Sequence, residues 1–367
     1  MSGSSGEVEM SSVSSLTVTG YKSIRELREF QLTNLNVLIG ANGAGKSNFI
    51  NLFRMLAEMV DEQLQVYVQR QGGPDSLLYF GRQTTERLHA EFNFAVNSYK
   101  FDLVPTNDNR LIFETEESWV QGGRYADKRA VLGAGHEESK LNVATDTYSS
   151  YVRQSVTNWR VYHFHDTGER AKVKQQHPMN DNVRLQIDAA NLAAYLHMLQ
   201  KNHFMHYQSI VRTIQLVAPY FRDFVLRHDA PFAELEWTQK GKPDTVLKAN
   251  MLSDGTLRFI CLATLLLQPI HLLPETVLID EPELGLHPYA IAVLADLFKQ
   301  VSESRQLIVS TQSVELVNEL DPEDIIVVDQ EDDASIFRRF TSEELSGWLE
   351  DYSMGEIWKR NILGGRP

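Results

Sequence analysis

The chain's 367 residues suffice for one large core or two unequal lobes, and its 43% apolar and 23% charged content is ordinary for a globular protein. With 35 basic against 49 acidic residues the formal net charge is −14, which speaks against a protein whose main work is wrapping duplex nucleic acid. The single cysteine, Cys261, excludes an intramolecular disulfide and fits a reducing, cytoplasmic setting, while the longest apolar stretch, 259–267, is too short to span a bilayer.

The first ten residues are Ser/Gly-rich and lack the apolar run of a signal peptide, so residues 1–12 are expected to form a flexible tail. Strands are expected at Leu16-Thr17-Val18-Thr19 and at 32–39, with Gly20-Tyr21-Lys22-Ser23 as the turn between them. The second strand runs through Asn36-Val37-Leu38-Ile39 into Gly40-Ala41-Asn42-Gly43-Ala44-Gly45-Lys46-Ser47, a complete phosphate-binding loop. Its glycines let successive backbone N–H groups turn inward on phosphates, Lys46 adds positive charge at the β and γ positions, and Ser47 can hold Mg²⁺. The helix that follows, opening at Asn48-Phe49-Ile50, points its N-terminus at the anion.

Helical periodicity continues over 49–69 up to the breaker Gln71-Gly72-Gly73-Pro74. Alternation over 88–96, 99–104 and 111–116 predicts an antiparallel meander, and the polar, glycine-containing stretch 122–147 predicts a loop. Trp159-Arg160-Val161-Tyr162-His163-Phe164 reads as another strand. Alternate strand residues share a face, so His163 and His165, with Asp166 nearby, are either a metal site or ordinary packing and surface residues. Helices are expected over 189–202 and 206–218.

From residue 250 the pattern changes. Met251-Leu252-Ser253-Asp254-Gly255-Thr256 opens an apolar helix over 257–267, and Thr276-Val277-Leu278-Ile279-Asp280-Glu281 is a strand-length apolar run ending in two acids. Strands buried on both faces of a parallel sheet read this way, and ligands bind beyond their carboxyl ends. Asp280 is therefore expected to hold Mg²⁺ through water, and Glu281 to orient or deprotonate an attacking water. A helix at 289–302, a strand at 306–311, a helix from Val314 and a strand at 325–328 follow, an alternation that indicates an α/β parallel sheet. The acidic residues concentrated over 315–356 read as a solvated surface or a docking face for a basic partner.

Four stretches together resemble the ATP-binding-cassette heads of the RecF/SMC and OLD-like group, here compact and without a coiled-coil arm or TOPRIM domain. They are Gly20-Tyr21-Lys22-Ser23-Ile24, residues 38–48, Leu252-Ser253-Asp254-Gly255-Thr256-Leu257-Arg258, and Val277-Leu278-Ile279-Asp280-Glu281-Pro282-Glu283 with Leu286-His287-Pro288. The likeness covers the two ends of the chain well and residues 100–245 weakly. It implies an α/β P-loop NTPase of the ABC-ATPase head type, with a parallel-sheet core lobe, an antiparallel β lobe and a helical insertion. It also implies ATPase activity with ATP and Mg²⁺ as cofactors. Nucleotide binding then falls to Gly40, Ala41, Asn42, Gly43, Ala44, Gly45, Lys46, Ser47, Asn48 and Lys22, metal holding to Ser47 and Asp280, and catalysis to Glu281 and Gln312.

In such heads the signature loop of one subunit completes the nucleotide site of another. Ser253, Asp254 and the Gly255 N–H would then meet a γ-phosphate across a homodimer or higher homo-oligomer, with 284–288 passing between the two sites. Taken alone, that stretch reads as an N-cap and turn. Two departures from the family stand out. Gln312 occupies the place of the usual histidine; it can hydrogen-bond but not carry a proton, so hydrolysis is slow or uses Glu281 alone. Asp254 stands where transporters commonly have glycine, which fits the RecF-like branch. Gln83 in Gly81-Arg82-Gln83-Thr84 is either the Q-loop residue or a plain turn residue.

The expected organisation is a tail (1–12), the N-terminal part of the head (13–100), a variable β and helical insertion (101–245), the C-terminal part of the head (246–345) and a C-terminal tail (346–367). The resemblance implies a dimerising switch that controls a separately encoded effector, a nuclease or toxin, in bacterial anti-phage defence. The residues after Gln312 are too few for the nuclease domain of OLD enzymes. Two alternatives stand beside this reading. One is a RecF-like DNA-binding repair protein, with a basic track from Arg153, Arg160, Arg170, Lys172 and Lys174; the other is a nucleotide-held scaffold without catalysis. Nucleic acid stays open as a partner, and no membrane partner is expected.

Overall fold

A computed structural model of the chain describes residues 12–120, 129–157, 159–227 and 230–366. The expected N-terminal tail, apart from residue 12, lies outside the described residues, as does the 122–128 part of the expected loop. The chain forms two units interleaved along the sequence. The first takes the described residues up to 34 together with 42–159 and 328–338; the second takes 35–41, 160–327 and the described residues from 339 onward.

The first unit is built on a six-stranded antiparallel sheet, in the order Ile24–Gln31, Ser15–Tyr21, Leu88–Phe94, Asn97–Pro105, Leu111–Val120, Arg129–Gly133. Leu88, Ala90, Phe92 and Phe94 are buried while the residues between them are half-buried, the period-two signature of a sheet with one packed face. The helix Lys46–Val60 packs there. Its Phe53 ring lies 5.9 Å from Phe92 and 5.2 Å from Trp159, in edge and tilted arrangements that suit the ring quadrupoles.

Three features of this unit differ from expectation. The strand Ile24–Gln31 was not foreseen because its apolar residues, Ile24, Leu27 and Phe30, recur every third position. The register slips between Leu16 and Val18, and Glu29 takes a left-handed backbone at φ 46°, so the alternation is broken by a bulge. Its exposed charges suit an edge strand. The helix expected over 49–69 is two helices, Lys46–Val60 and Leu64–Arg70, parted where Glu62 turns to φ 57°. Within the expected loop, Arg129–Gly133 pairs with Leu111–Val120 as the last strand of the sheet.

The second unit carries parallel strands in the order Ile325–Glu331, Leu35–Ile39, Gln306–Ser310, Thr276–Asp280, Arg160–Tyr162. Leu35–Ile39 and Gln306–Ser310 are buried at every position, as strands covered on both faces must be. In the first unit, residues 328–331 have 334–338 of the strand Ala334–Arg339 beside them. The helices Leu192–Asn202, Phe204–Val217, Asp254–Leu267 and Pro288–Ser302 share one hydrophobic core with this sheet. A small antiparallel sheet is formed by Phe221–Phe224, Glu236–Gln239 and Lys242–Lys248.

Residues 346–367, expected as a tail, include the helix Met354–Lys359 with Ile357 and Trp358 fully buried. The Gly355 N–H donates to Asn318 Oδ1 at 2.7 Å, and a Cβ on Gly355 would lie 2.5 Å from Val314, so this helix seats directly on Val314–Asn318. The fold is α/β, a mixed, mostly parallel sheet plus an antiparallel β lobe. Among the described residues no helix is long and apolar enough to cross a membrane.

Candidate functional site

In the second unit the parallel register aligns Leu38 with Ser310 and Ser310 with Asp280. The chain therefore leaves the same carboxyl edge at Gly40-Ala41, at Asp280-Glu281 and at Thr311-Gln312, the edge where open α/β sheets bind ligands. The Thr311 N–H donates to Leu38 O at 3.0 Å and the Glu281 N–H to Ser310 O at 2.9 Å, so these exits are tied together beyond the strands. The Ser310 hydroxyl donates to Asp280 Oδ1. Glu281 takes a left-handed backbone, φ 44°, which a non-glycine residue seldom adopts and which clusters at functional sites.

Glu281 and Gln312 come together: Gln312 Nε2 donates to Glu281 Oε1. The Gln312 backbone N–H donates to Glu283 Oε1 at 3.0 Å. Burial pushes the Glu283 carboxyl above its usual range, against the opposing hydrogen bonds of Thr311 and Gln312. Sequence reasoning quoted Glu283 within a motif and gave it no role; its inward placement has no signature in a run of Pro, Glu and Leu.

The 253–256 stretch is an N-cap in this structure. Ser253 Oγ accepts from the Thr256 N–H at 3.1 Å and opens the helix Asp254–Leu267, with Ser253 and Asp254 exposed. A Cβ on Gly255 would lie 2.3 Å from Gly285 O, so the first turn of this helix is flush against the 284–288 loop. Arg258, buried on the same helix, donates Nε to Phe164 O at 2.9 Å and Nη2 to His165 O at 3.1 Å, while His165 Nε2 lies 2.9 Å from Asp280 O. His165 thus serves the backbone of the Asp280 strand. His163 Nδ1 lies 3.3 Å from Val161 O, and among the described residues no group of three or more His, Cys, Asp or Glu could hold a metal ion.

In the first unit, residues 42–47 complete the glycine-rich loop. Gly43 and Gly45 sit at φ 83° and 119°, and at Gly43 the space where a side chain would go is open. Lys46 is buried and Ser47 is exposed on the first turn of the helix. The loop is braced from behind: the Ser335 hydroxyl donates to Ala44 O at 2.5 Å, its oxygen lies 2.7 Å from Ser23 Oγ, and Asn48 Nδ2 donates to Ser23 Oγ at 2.7 Å. A Cβ on Gly45 would lie 2.1 Å from Ser335 Oγ. Glycines in left-handed conformations followed by a helix N-terminus are the donor set a polyphosphate requires, and the exposed Ser47 hydroxyl suits Mg²⁺, a hard cation.

Ser23 and Ser335 were missed. Ser23 lay inside a quoted stretch, but Ser335 belongs to a strand with no sequence signal. Lys22 Nζ donates to Gln71 Oε1 at 2.8 Å, and burial, with Arg54 nearby, lowers the pKa of its ammonium. Gln83 is exposed in a turn. Of the residues expected to form a basic track, Arg153 in the first unit donates to Asn142 O at 2.8 Å. In the second unit Lys172 pairs with Asp188 at 2.9 Å, and Lys174 donates to Thr167 O at 2.6 Å.

A protein family described as "AAA domain, putative AbiEii toxin, Type IV TA system" matches residues 35–318. No curated protein matches the chain. Among solved structures, an Smc head bound to the C-winged helix domain of ScpA is similar over 90% of this chain and 99% of that one, at 18% identity and a TM-score of 0.59. An Smc head domain with an extended coiled coil, bound to the C-terminal domain of ScpA from Pyrococcus furiosus, is similar over 93% and 99%, at 16% identity and a TM-score of 0.56. At such identities the likeness is one of fold.

Proposed function

The chain belongs to the AAA domain family described as putative AbiEii toxin, Type IV TA system, a P-loop ATPase family, and from that premise we propose that it is an ATP-hydrolysing switch that dimerises on its nucleotide. The observation that carries this reading is the carboxyl edge of the parallel sheet, where Ser310 holds Asp280 and Gln312 holds Glu281 beside the strand that leads into the phosphate loop.

The amides of Gly40 to Asn48, with Lys46, would hold the phosphates of ATP, and Ser47 and Asp280 would hold Mg²⁺. The chemistry a metal would supply there is neutralisation of phosphate charge. Glu281 orients the attacking water and accepts its proton, and the Gln312 amide fixes the Glu281 carboxylate for that task. Catalysis of this kind is positioning plus charge stabilisation. Ser253, Asp254 and Gly255 present a capped helix N-terminus to the nucleotide of a second copy. The family description names a toxin–antitoxin system, which supports a separately encoded partner protein; on our reading the output of the closed dimer is exerted on that effector, in defence against phage.

Steady-state phosphate release tests the enzymatic part. The purified chain turns over Mg-ATP, Lys46→Ala abolishes nucleotide binding, and Glu281→Gln keeps binding while lowering turnover by about 10²-fold or more. Phosphate release by Glu281→Gln at the unaltered rate contradicts the reading and leaves the nucleotide-held scaffold in its place.

A further inference from the structure

The geometry points to Glu283 as a positioning residue that sets Gln312, and through it the Glu281 carboxylate. This inference rests on the ATPase reading above and deepens it.

Position 283 is three residues beyond Asp280, on the segment that leaves the carboxyl edge of the sheet. Its Oε1 takes the Gln312 backbone N–H at 3.0 Å. Its Oε2 is buried and has no hydrogen-bond partner among the described residues. A carboxyl group in such a place is costly; had the position only to fill space under the 311–313 segment, an apolar side chain would do so without the desolvation penalty. The carboxyl is retained because the Gln312 N–H needs an acceptor at that point. Gln312 has left the Gln306–Ser310 strand, so the sheet ladder offers it none.

The consequence reaches the reacting groups. Gln312 is gripped at its backbone by Glu283 and grips Glu281 with its side chain. Glu283, Gln312 and Glu281 form one chain of hydrogen bonds along which the placement of the peptide at 312 fixes the amide and the amide fixes the carboxylate. A glutamine cannot relay a proton, so its contribution is the position it imposes, and that position is no better than the anchor beneath it. Glu283 acts through Gln312, whose backbone it holds.

The test uses the full chain and compares kcat and KM for Mg-ATP in the unsubstituted protein, Glu281→Gln, Gln312→Ala, Glu283→Gln, Glu283→Ala and Glu283→Asp, with thermal melts run alongside. Glu283→Gln keeps an acceptor for the Gln312 N–H and retains kcat within about 3-fold. Glu283→Ala removes the acceptor and lowers kcat by about 10²-fold with KM unchanged, the size expected when a reacting group is misplaced by about an ångström. Glu283→Asp keeps the acid but falls one methylene short, and loses kcat in the same way even if the alanine variant fails to fold. Combining Glu283→Ala or Glu283→Asp with Gln312→Ala costs no more than Gln312→Ala alone, because both substitutions break one chain of bonds. Unchanged kcat in Glu283→Asp, additive losses in the double variant, or a rise in KM with kcat preserved each overturn the assignment while the ATPase reading stands. Absence of turnover in the unsubstituted protein removes the ATPase reading and this inference together.

Discussion

Gly255 shows how much a single missing methyl group decides. It sits in the first turn of the helix Asp254–Leu267, where alanine would ordinarily be preferred by about 1 kcal/mol. Here the Cβ would lie 2.3 Å from the backbone oxygen of Gly285, and backbone cannot move aside as a flexible side chain can. Gly255→Ala is expected to destabilise the chain by about 1–3 kcal/mol through overpacking, seen as a lower Tm. It should also weaken nucleotide-dependent self-association while leaving nucleotide binding to the monomer intact. A variant with unchanged Tm would show that the helix and the 284–288 loop are not packed as described. At this scale the sequence was most readable where a set order of residue types fixes placement: Asp280, Glu281 and Gln312, named from it, do leave the sheet at one edge. It was unreadable where a role depends on who lies behind whom. Ser335 braces the loop at Ala44 across 291 positions of sequence, and a serine carries no mark of that.

Elements were legible where hydrophobic period and burial agree. Leu35–Ile39, Thr276–Asp280 and Gln306–Ser310 read as continuous apolar runs because they are covered on both faces. The strand Ile24–Gln31 was hidden by its bulge and its edge charges. The C-terminal helices were hidden by acidity: Thr341 and Glu344 form a capping box, as do Ser353 and Glu356, so glutamates read as solvated surface include helix-start signals. Met354–Lys359 is anchored by the fully buried Trp358. Trp358→Ala is expected to cost about 3–5 kcal/mol, measured as a lowered urea midpoint, because so large a fully buried ring leaves a cavity that its surroundings only partly fill. An effect below about 1 kcal/mol would show that this helix is dispensable to the second unit.

For the molecule as a whole, family and fold leave one relation to be tested: whether two copies close on a shared nucleotide. Ser253 and Leu284 are exposed, and Gly255 packs against Gly285, so the N-cap and the 284–288 loop are neighbours that a second copy would cover. Acidity overall, −14, does not oppose this, since a closed-ring exchange of phosphate and helix N-termini is local. The direct measurement is sedimentation of the Glu281→Gln protein, mass 41.8 kDa, with and without saturating Mg-ATP. The account predicts a monomer without nucleotide and a species of twice that mass with it, lost again when Ser253 is replaced by Arg. A protein that binds Mg-ATP fully and still sediments at 41.8 kDa would contradict it.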